Sequence, residues 1–295
     1  TSFGERIVMR LLDKSSGVKR LDQMGLEHKT YLTWANLVSQ KHGIILVTGP
    51  TGSGKTTLLY ASILHINTID INILTIEDPV EYRLPGVGQI DVKSKIGLTF
   101  QEGLRSILRQ DPDVIMIGEI RDEETASIAV QSSLTGHLVF STLHTNDAAA
   151  TVTRLDDLKV QSFQIASAVL GIMATRLIRK LCLSCRQVHK LSDTELKVME
   201  ITREEIGTRE VYRAGGGCDQ CHGQGYAGRI AIHELMVMDD KLKELIMQTQ
   251  DANVIRRAAV ENGMITLRRS AISKVIDGIT SLEEAIQKTQ TEDLD

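Results

Sequence analysis

Short apolar runs alternate with longer amphipathic stretches from Gly43 to about residue 145. The apolar runs are GIILVT, INILTI, DVIMIGEI and HLVFSTL, and the segments between them, such as TTLLYASILHIN and ETASIAVQSSL, space their apolar residues like helices. Strands that are almost continuously apolar and alternate with helices are typical of a parallel sheet covered on both faces. The pattern therefore predicts an α/β fold of the kind that binds nucleotides.

The two flanking regions have different patterns. Residues 5–12 (ERIVMRLL) have the pattern of a strand, residues 14–19 (KSSGVK) that of a linker, and a helix is expected over 28–39. After about Ala150 the apolar residues take helical spacing, and Ser281 with Glu284 predicts a capping box at the last helix. We therefore expect a mainly α C-terminal region that carries a cysteine-bearing insertion.

The composition is that of an ordinary globular protein. Of the 295 residues, 42% are hydrophobic and 24% are charged, enough to bury the core of one large or two smaller domains. The formal charge of −4 and the aromatic content of 3% argue against nucleic-acid binding. No apolar run of about 18 residues and no signal peptide is present, which predicts a cytoplasmic protein without a transmembrane segment. Because the sequence begins without Met, we expect an N-terminal portion to be missing.

One segment matches the phosphate-binding pattern G-x-x-x-x-G-K-[ST] at every position. It is GPTGSGKT, which lies between the run GIILVT and the helical stretch TTLLYASILHI. In such a loop the glycines let N–H groups converge on a phosphate, Lys55 reaches the β- and γ-phosphates, and Thr56 offers a hydroxyl to Mg²⁺. We therefore predict that a nucleoside triphosphate is bound by Gly49, Pro50, Thr51, Gly52, Ser53, Gly54, Lys55, Thr56 and Thr57.

Acidic and histidine residues flank three of the predicted strands. Ligands of open α/β sheets bind at the carboxyl ends of strands, where Glu119 could order an attacking water or hold Mg²⁺ through a water. The competing interpretation is a solvated acid that caps a core strand, and a single histidine is more often a core or surface residue. Three such strands together favour a catalytic edge. The candidates are Glu77, Asp78, Glu81, Glu119, His137 and His144.

Four motifs, in chain order, resemble those of a known family. GPTGSGKT, ILTIEDPVEY, DPDVIMIGEIRD and TGHLVFSTLHTNDA are similar to the Walker A, Asp box, Walker B and His box of the secretion ATPases of the type II and type IV pilus superfamily. The resemblance covers essentially the whole chain. It implies a RecA-like P-loop ATPase that uses ATP and Mg²⁺, with Glu119 as the catalytic glutamate. The remaining catalytic candidates are Glu81, Lys55 and His144.

The same resemblance implies a preceding domain, a homo-hexameric ring, and an arginine that neutralises charge on the transferred phosphoryl group. Arg10 is the preferred arginine, with Arg6, Arg105, Arg109 and Arg121 as further candidates; for each, a solvated surface charge is the alternative. The chain then divides into the end of the preceding domain with its linker (1–20), a RecA-like ATPase core (21–175), a four-cysteine module (176–230) and a C-terminal helical region (231–295).

All four cysteines of the chain lie in two C-x-x-C pairs, CLSC and CDQC, with 32 residues between the pairs. Two such pairs can complete the tetrahedral four-cysteine site that zinc prefers, and four thiolates leave no open coordination position. A disulfide is disfavoured in a cytoplasmic protein, and a thioredoxin-like redox role lacks its βαβ context. We therefore predict a structural zinc site formed by Cys182, Cys185, Cys218 and Cys221.

The cysteine module narrows the resemblance to two branches. It is found in type II secretion ATPases and in pilus-extension ATPases, whereas retraction ATPases typically lack it. Secretion is preferred because IHEL follows Gly228 and Arg229. This branch implies an ATPase that powers pseudopilus assembly and protein export, held at the inner membrane by platform proteins. A RecA-like nucleic-acid motor is the alternative from another functional class, and stimulation of ATP turnover by DNA would reveal it. A scaffold that binds ATP without hydrolysing it is a third possibility.

Overall fold

The central element is a seven-stranded sheet. The structure is a computed structural model that describes residues 4–5 and 19–290. The strands of this part are β1 (Gly43–Thr48), β2 (Ile73–Glu77), β3 (Gly88–Asp91), β4 (Val114–Ile117), β5 (Leu138–Leu143), β6 (Val169–Leu181), β7 (Gln187–His189), β8 (Val211–Arg213) and β9 (Tyr226–Val237). The sheet has the order β3-β2-β4-β5-β1-β6-β9, and β7 pairs with β8 in a separate ribbon.

Helices lie on both faces of this sheet. They are α1 (His28–Val38), α2 (Lys55–Ile66), α3 (Phe100–Ile107), α4 (Glu123–Leu134), α5 (Ala148–Asp157), α6 (Ser162–Ala168), α7 (Asp193–Met199), α8 (Arg203–Ile206), α9 (Asp240–Gln248), α10 (Ala252–Glu261), α11 (Leu267–Ile276) and α12 (Leu282–Thr289). None of these helices is long and apolar enough to cross a membrane.

Strands β1 to β6 pair in parallel, and every residue of β1, β2, β4 and β5 is buried. The continuous apolar runs of the sequence are therefore strands covered on both faces, as predicted. Because parallel strands share one direction, the segments that follow β1, β2, β4 and β5 all begin at the same edge of the sheet. The phosphate-binding loop and the predicted catalytic acids lie in those segments.

A separate apolar cluster fills the space on each face of the sheet. One cluster holds α1 and α2 against β1 and β5, with Trp34 and Phe140 fully buried at its centre. The indole Nε1 of Trp34 donates to the Ser62 hydroxyl at 2.9 Å, so its polar atom keeps a partner. The other cluster packs α3 to α6 and the C-terminal helices on the opposite face.

The C-terminal region is helical as expected, but the sequence pattern missed two long strands within it. Strands β6 and β9 pair with each other in an antiparallel ladder that extends the sheet beyond β1. They cross the limits placed after residues 175 and 230, and the division into four domains stays a prediction. The predicted strand over 5–12 and the proposed end of a preceding domain lie, apart from residues 4–5 and 19–20, outside the described residues.

The predicted capping box at the last helix is only half formed. The hydroxyl of Ser281 accepts from the backbone N–H of Glu284 at 3.2 Å and caps α12. The Glu284 carboxylate, which is fully buried, does not turn back to Ser281 but accepts from the Arg179 guanidinium at 2.6 and 2.8 Å. An unpaired buried carboxylate costs more free energy than a missing second cap at a helix end, which explains why Glu284 pairs with Arg179.

Candidate nucleotide and metal sites

The phosphate-binding loop joins β1 to α2 and depends on left-handed glycines. Gly49, Gly52 and Gly54 have φ angles of 143°, 77° and 97°, a region that other residues rarely adopt. At Gly49 a Cβ would lie 2.4 Å from the carbonyl oxygen of Thr175, so strand β6 leaves no room for a side chain. The loop ends at the N-terminus of α2, where N–H groups and the helix dipole favour an anion.

Lys55 lies at the base of this loop, and its side chain is almost fully buried. The Nζ atom donates to the carbonyl oxygen of Gly49 at 2.7 Å and to that of Pro50 at 3.2 Å. Burial lowers the pKa of Lys55, and the nearby charge of Glu119 acts in the opposite direction. A phosphate oxygen carries more charge than either carbonyl and would be the stronger acceptor for this ammonium group.

Glu119 follows β4 after the single residue Gly118. A Cβ at Gly118 would lie 3.3 Å from the Cα of Glu77 on the neighbouring strand, so the close approach of these backbones favours glycine. The Glu119 side chain is 12% exposed, and its two oxygens have different partners. Oε1 pairs with the Arg121 guanidinium at 2.5 Å, and Oε2 lies 3.2 Å from Nε2 of His144.

His144 connects the catalytic candidates to each other. Its Nδ1 lies 3.5 Å from Nζ of Lys55, while its Nε2 faces Glu119. Because an ammonium group can only donate, a neutral His144 here carries its proton on Nε2 and donates it to the carboxylate. The structure thus brings Lys55, His144 and Glu119 into one continuous polar chain at the edge of the sheet.

The acids after β2 are placed in two different environments. Glu77 is buried, and its carboxylate accepts from the Tyr60 hydroxyl, from Thr75 at 2.6 Å and from Gln89 at 3.1 Å. Burial and the adjacent Glu77 both raise the pKa of Tyr60. Glu81 is only partly buried, and its backbone N–H donates to the Tyr60 hydroxyl at 3.3 Å. Glu77 therefore has a structural role, whereas the exposed Asp78 and the partly buried Glu81 stay available to a ligand.

Several sequence candidates lie away from this chain of side chains. Arg105 pairs with Glu102 and Glu124 on the surface of α3 and α4, and Arg109 donates to Ser106. His137 precedes β5, at the amino end of the sheet, and contacts the Ser132 carbonyl at 3.0 Å. The prediction that His137 belongs to the same edge as His144 is wrong, because the two histidines lie at opposite ends of β5. The preferred finger Arg10, and Arg6, lie outside the described residues.

Strand β6 contacts and supports the phosphate-binding loop. The sequence did not predict these contacts. The hydroxyl of Thr175 donates to the carbonyl of Ser53 at 3.3 Å. The next residue, Arg176, is buried and donates to the carbonyl of Asn146 at 3.1 Å and to that of Lys288 in α12 at 2.5 Å. A run such as MATRLIRKL fits a helix or a strand by its apolar spacing, so no local signal identified these contacts.

A cleft of about 600 Å³ opens beside the loop, a size typical of small-molecule sites. The phosphate-binding loop contributes Gly54 and Thr57 to it, and the Asp box contributes Glu81 and Tyr82. The opposite wall comes from β6 and β9 and includes Leu177, Lys180, Gly228 and Arg229. The cleft is therefore continuous with the loop and could hold the remainder of a ligand whose phosphates bind there.

The four cysteines converge at the far end of β6 and the start of β9. Their sulfur atoms all lie within 4.8 Å of one another, and three of the distances are 3.7, 3.8 and 3.7 Å. Tetrahedral zinc with bonds of about 2.3 Å places its sulfurs about 3.8 Å apart. The four thiol groups could therefore hold a metal ion.

Backbone N–H groups bind the sulfur of Cys221 and favour its thiolate form. Burial alone would raise the pKa of its thiol, but the N–H groups of Cys218 and Gly225 both donate to its sulfur at 3.2 Å. These bonds stabilise the thiolate and lower the pKa of Cys221 to about 6, whereas burial and the contacts with the other three thiols raise the pKa of Cys185. The thiolate is the form that binds metals, so the chemistry of the donor set fits a structural metal site.

Comparison with known proteins gives matches over nearly the whole chain. A family model described as "Type II/IV secretion system protein" matches residues 1–287. Type II secretion system protein HxcR of Pseudomonas aeruginosa is 50% identical over 98% of this chain and 58% of that protein. Type II secretion system ATPase E of Vibrio cholerae is 47% identical over 98% of this chain and 57% of that protein. The type IV pilus assembly ATPase PilB of Thermus thermophilus is 45% identical over 98% of this chain and 32% of that protein. The chain thus spans about half the length, or less, of these curated relatives.

Two solved structures share the fold. The pilus retraction motor PilT with bound ADP aligns with a TM-score of 0.69 at 29% identity, over 94% of this chain and 68% of that chain. The ATPase DotB of Legionella pneumophila aligns with a TM-score of 0.67 at 24% identity, over 92% of this chain and 66% of that chain, which shows a common fold alone. Both matches confirm the predicted α/β architecture.

Proposed function

Because the chain belongs to the type II/IV secretion system protein family, we propose that it is the motor portion of a type II secretion ATPase, which hydrolyses ATP to power pseudopilus assembly and protein export. The observation that carries this proposal is the polar chain from Lys55 through His144 to Glu119 beside a complete phosphate-binding loop. An ammonium group and a carboxylate lie on either side of one imidazole, and this arrangement supports their roles in binding phosphate and orienting water.

The proposed reaction is in-line attack of water on the γ-phosphorus of ATP. Glu119 accepts a hydrogen bond from the attacking water and orients it, and the bond to the β–γ bridging oxygen breaks with its electrons left on ADP. Lys55 balances the charge of the β- and γ-phosphates, and His144 holds Glu119 in place. Arg121 and an arginine from the N-terminal segment, with Arg10 preferred, are proposed to neutralise charge that develops in the transition state.

Two metal ions have donor sets in the chain that fit them. The hydroxyl of Thr56 and the carboxylates of Glu81 and Glu119 are the oxygen donors that Mg²⁺ prefers near a triphosphate. When bound, Mg²⁺ supplies charge neutralisation on the β- and γ-phosphates. Zinc is proposed at the four-cysteine cluster, where its role is to hold the two C-x-x-C turns together.

The proposal extends to assembly and location. We place the protein in the cytoplasm as a homo-hexamer that is held at the inner membrane by platform proteins of the secretion system. In a ring the arginine would come from a domain ahead of this core or from a neighbouring subunit.

Pilus extension is the second candidate function. It is favoured by the 45% identity with the pilus assembly ATPase PilB, which is close to the 50% identity with HxcR. A strain that lacks its own secretion ATPase, when supplied with the full-length protein, would restore protein export if the first proposal is right. Restored pili without export would favour the second.

The site is tested with two substitutions. We expect Lys55→Ala to abolish ATP binding, because the cation at the base of the loop is lost, and Glu119→Gln to retain binding but lose phosphate release. Binding is measured by calorimetry and turnover by inorganic phosphate. Lys41→Ala and Glu261→Gln, both at exposed positions, are the matched controls. Normal turnover by Glu119→Gln would refute the role of this carboxylate.

A further inference from the structure

The cleft beside the phosphate-binding loop has one wall that no motif accounts for. We propose that Lys180 and Arg229 on this wall bind the nucleoside of the nucleotide, and thereby set affinity for a nucleoside triphosphate over bare tripolyphosphate. This inference rests on the proposed function. It adds two binding residues that lie on the two strands leading to the four-cysteine cluster.

The position of Lys180 follows from the course of β6 along the loop. A Cβ at Gly49 would lie 2.4 Å from the carbonyl oxygen of Thr175, and one at Gly54 would lie 3.9 Å from the Leu177 side chain, so the strand passes the loop from one end to the other. Lys180 is three residues farther on, about 10 Å along an extended strand. The β- and γ-phosphates belong in the loop, and Lys180 therefore faces the part of the ligand that extends beyond it.

An irregularity in β6 turns Lys180 into the cleft. Residues three apart in a regular strand point to opposite faces, yet Leu177 and Lys180 both line the cleft. The pairing register with β9 shifts between Arg179 and Leu181, and such bulges re-aim a side chain.

Strand β9 leaves space for this side chain and adds the second cation. A Cβ at Gly228 would lie 3.3 Å from Cε and 3.9 Å from Nζ of Lys180, so the lysine side chain passes across the glycine. Arg229 is the next residue and is exposed in the same cleft. A planar guanidinium can stack on a purine ring and donate to its acceptors, and an ammonium group can donate to a ribose oxygen.

The test compares two ligands that differ only in the nucleoside. Calorimetry with the full chain measures Kd for a non-hydrolysable ATP analogue and for inorganic tripolyphosphate, using wild type, Lys180→Met with Arg229→Met, and Lys55→Ala. We expect the double variant to bind the ATP analogue about tenfold more weakly, the loss typical of a charged hydrogen bond. Its Kd for tripolyphosphate should stay within about twofold of wild type.

The outcomes separate this inference from the proposed function. Unchanged affinity of the double variant for the ATP analogue, or an equal loss for tripolyphosphate, would overturn it. Retained ATP binding by Lys55→Ala would instead overturn the proposed site. Lys190→Met, an exposed lysine of the same module outside the cleft, should match wild type with both ligands. With Arg229 intact, Lys180→Met should lose affinity for the ATP analogue and Lys180→Arg should keep it. This difference would identify the positive charge as the cause of the binding.

Discussion

Gly118 explains why one residue separates the end of β4 from Glu119. The backbone N–H of Gly118 donates to the Ile76 carbonyl at 2.8 Å, and its own carbonyl accepts from Thr142 at 2.7 Å. Both neighbouring strands thus continue to bind the chain one residue beyond the end of β4. The acid at the next position is carried out of the core to His144, while Glu77 on the adjacent strand stays inside and is used for structure.

His233 predicts a pH dependence of stability. It is buried in β9, and burial, with a smaller effect of Lys274, lowers its pKa to about 3. The folded protein keeps His233 neutral, whereas the unfolded chain binds a proton below about pH 6.5, so this residue reduces stability as the pH falls from about 6.5 towards 3. Between pH 7.0 and 5.5 we expect wild type to lose about 1 kcal/mol more than His233→Gln in urea unfolding. Equal slopes for wild type and His233→Gln would contradict the assignment.

At the residue scale, the sequence could predict a side chain only where a motif fixes its environment. Lys55, Glu119 and His144 follow that rule, because loop and strand-end geometry place them at one edge. The partners of Glu77 could not be predicted, since Tyr60 and Gln89 come from other elements and belong to no motif. Lys180 was missed for a related reason: a register shift decides which way it points, and apolar spacing does not reveal a bulge.

Among the elements, α5 and α11 share one acidic side chain at their N-termini. The buried carboxylate of Glu234 accepts from the N–H of Ala148 at 2.9 Å and from that of Leu267 at 3.2 Å, the first residues of the two helices. A negative charge at two helix N-termini is favourable on both sides. We expect Glu234→Gln to lower the free energy of unfolding by about 1–3 kcal/mol, because an amide has one acceptor oxygen for these two donors. Urea titration checks this, with Glu283→Gln at an exposed position as the control, and equal stability of variant and wild type would show that the charge contributes nothing.

The four-cysteine cluster predicts a dependence on metal. Because bound metal stabilises only the folded form, we expect the purified protein to contain about one zinc per chain and to melt several degrees lower in a strong chelator. Cys221→Ser should lose the metal and melt at the lower temperature without chelator. Ser184→Ala alters a neighbouring side chain that is not a ligand and should behave as wild type. Metal analysis measures the zinc content, and thermal melting measures the stability. A metal-free protein whose melting temperature does not change with chelator would exclude the site.

Helices and strands were predicted well where their apolar periodicity was unambiguous. The β1–α2 unit and strands β2, β4 and β5 follow from runs that are too short for helices and end at turn residues. Strands β6 and β9 were not found, because their inner halves are buried on both faces and show no alternation. Only their pairing with each other, a long-range contact, distinguishes them from helices.

For the whole molecule, the proposed ring predicts a concentration-dependent activity. If a neighbouring subunit completes each site, specific ATPase activity should rise with protein concentration and level off when the oligomer is fully formed. Light scattering measured in parallel gives the mass at each concentration, and Glu119→Gln supplies the background. Constant specific activity in a protein that scatters as a monomer would refute the ring.

The contacts of Arg176 have a consequence for the integrity of the chain. The Arg176 guanidinium links the segment after His144 to α12, and Arg179 on the same strand binds α12 a second time through Glu284. A protease that cut between α11 and α12 would remove acceptors from both arginines beside the brace of the phosphate-binding loop. We therefore expect loss of α12 to weaken the support of this loop, although α12 does not line the cleft.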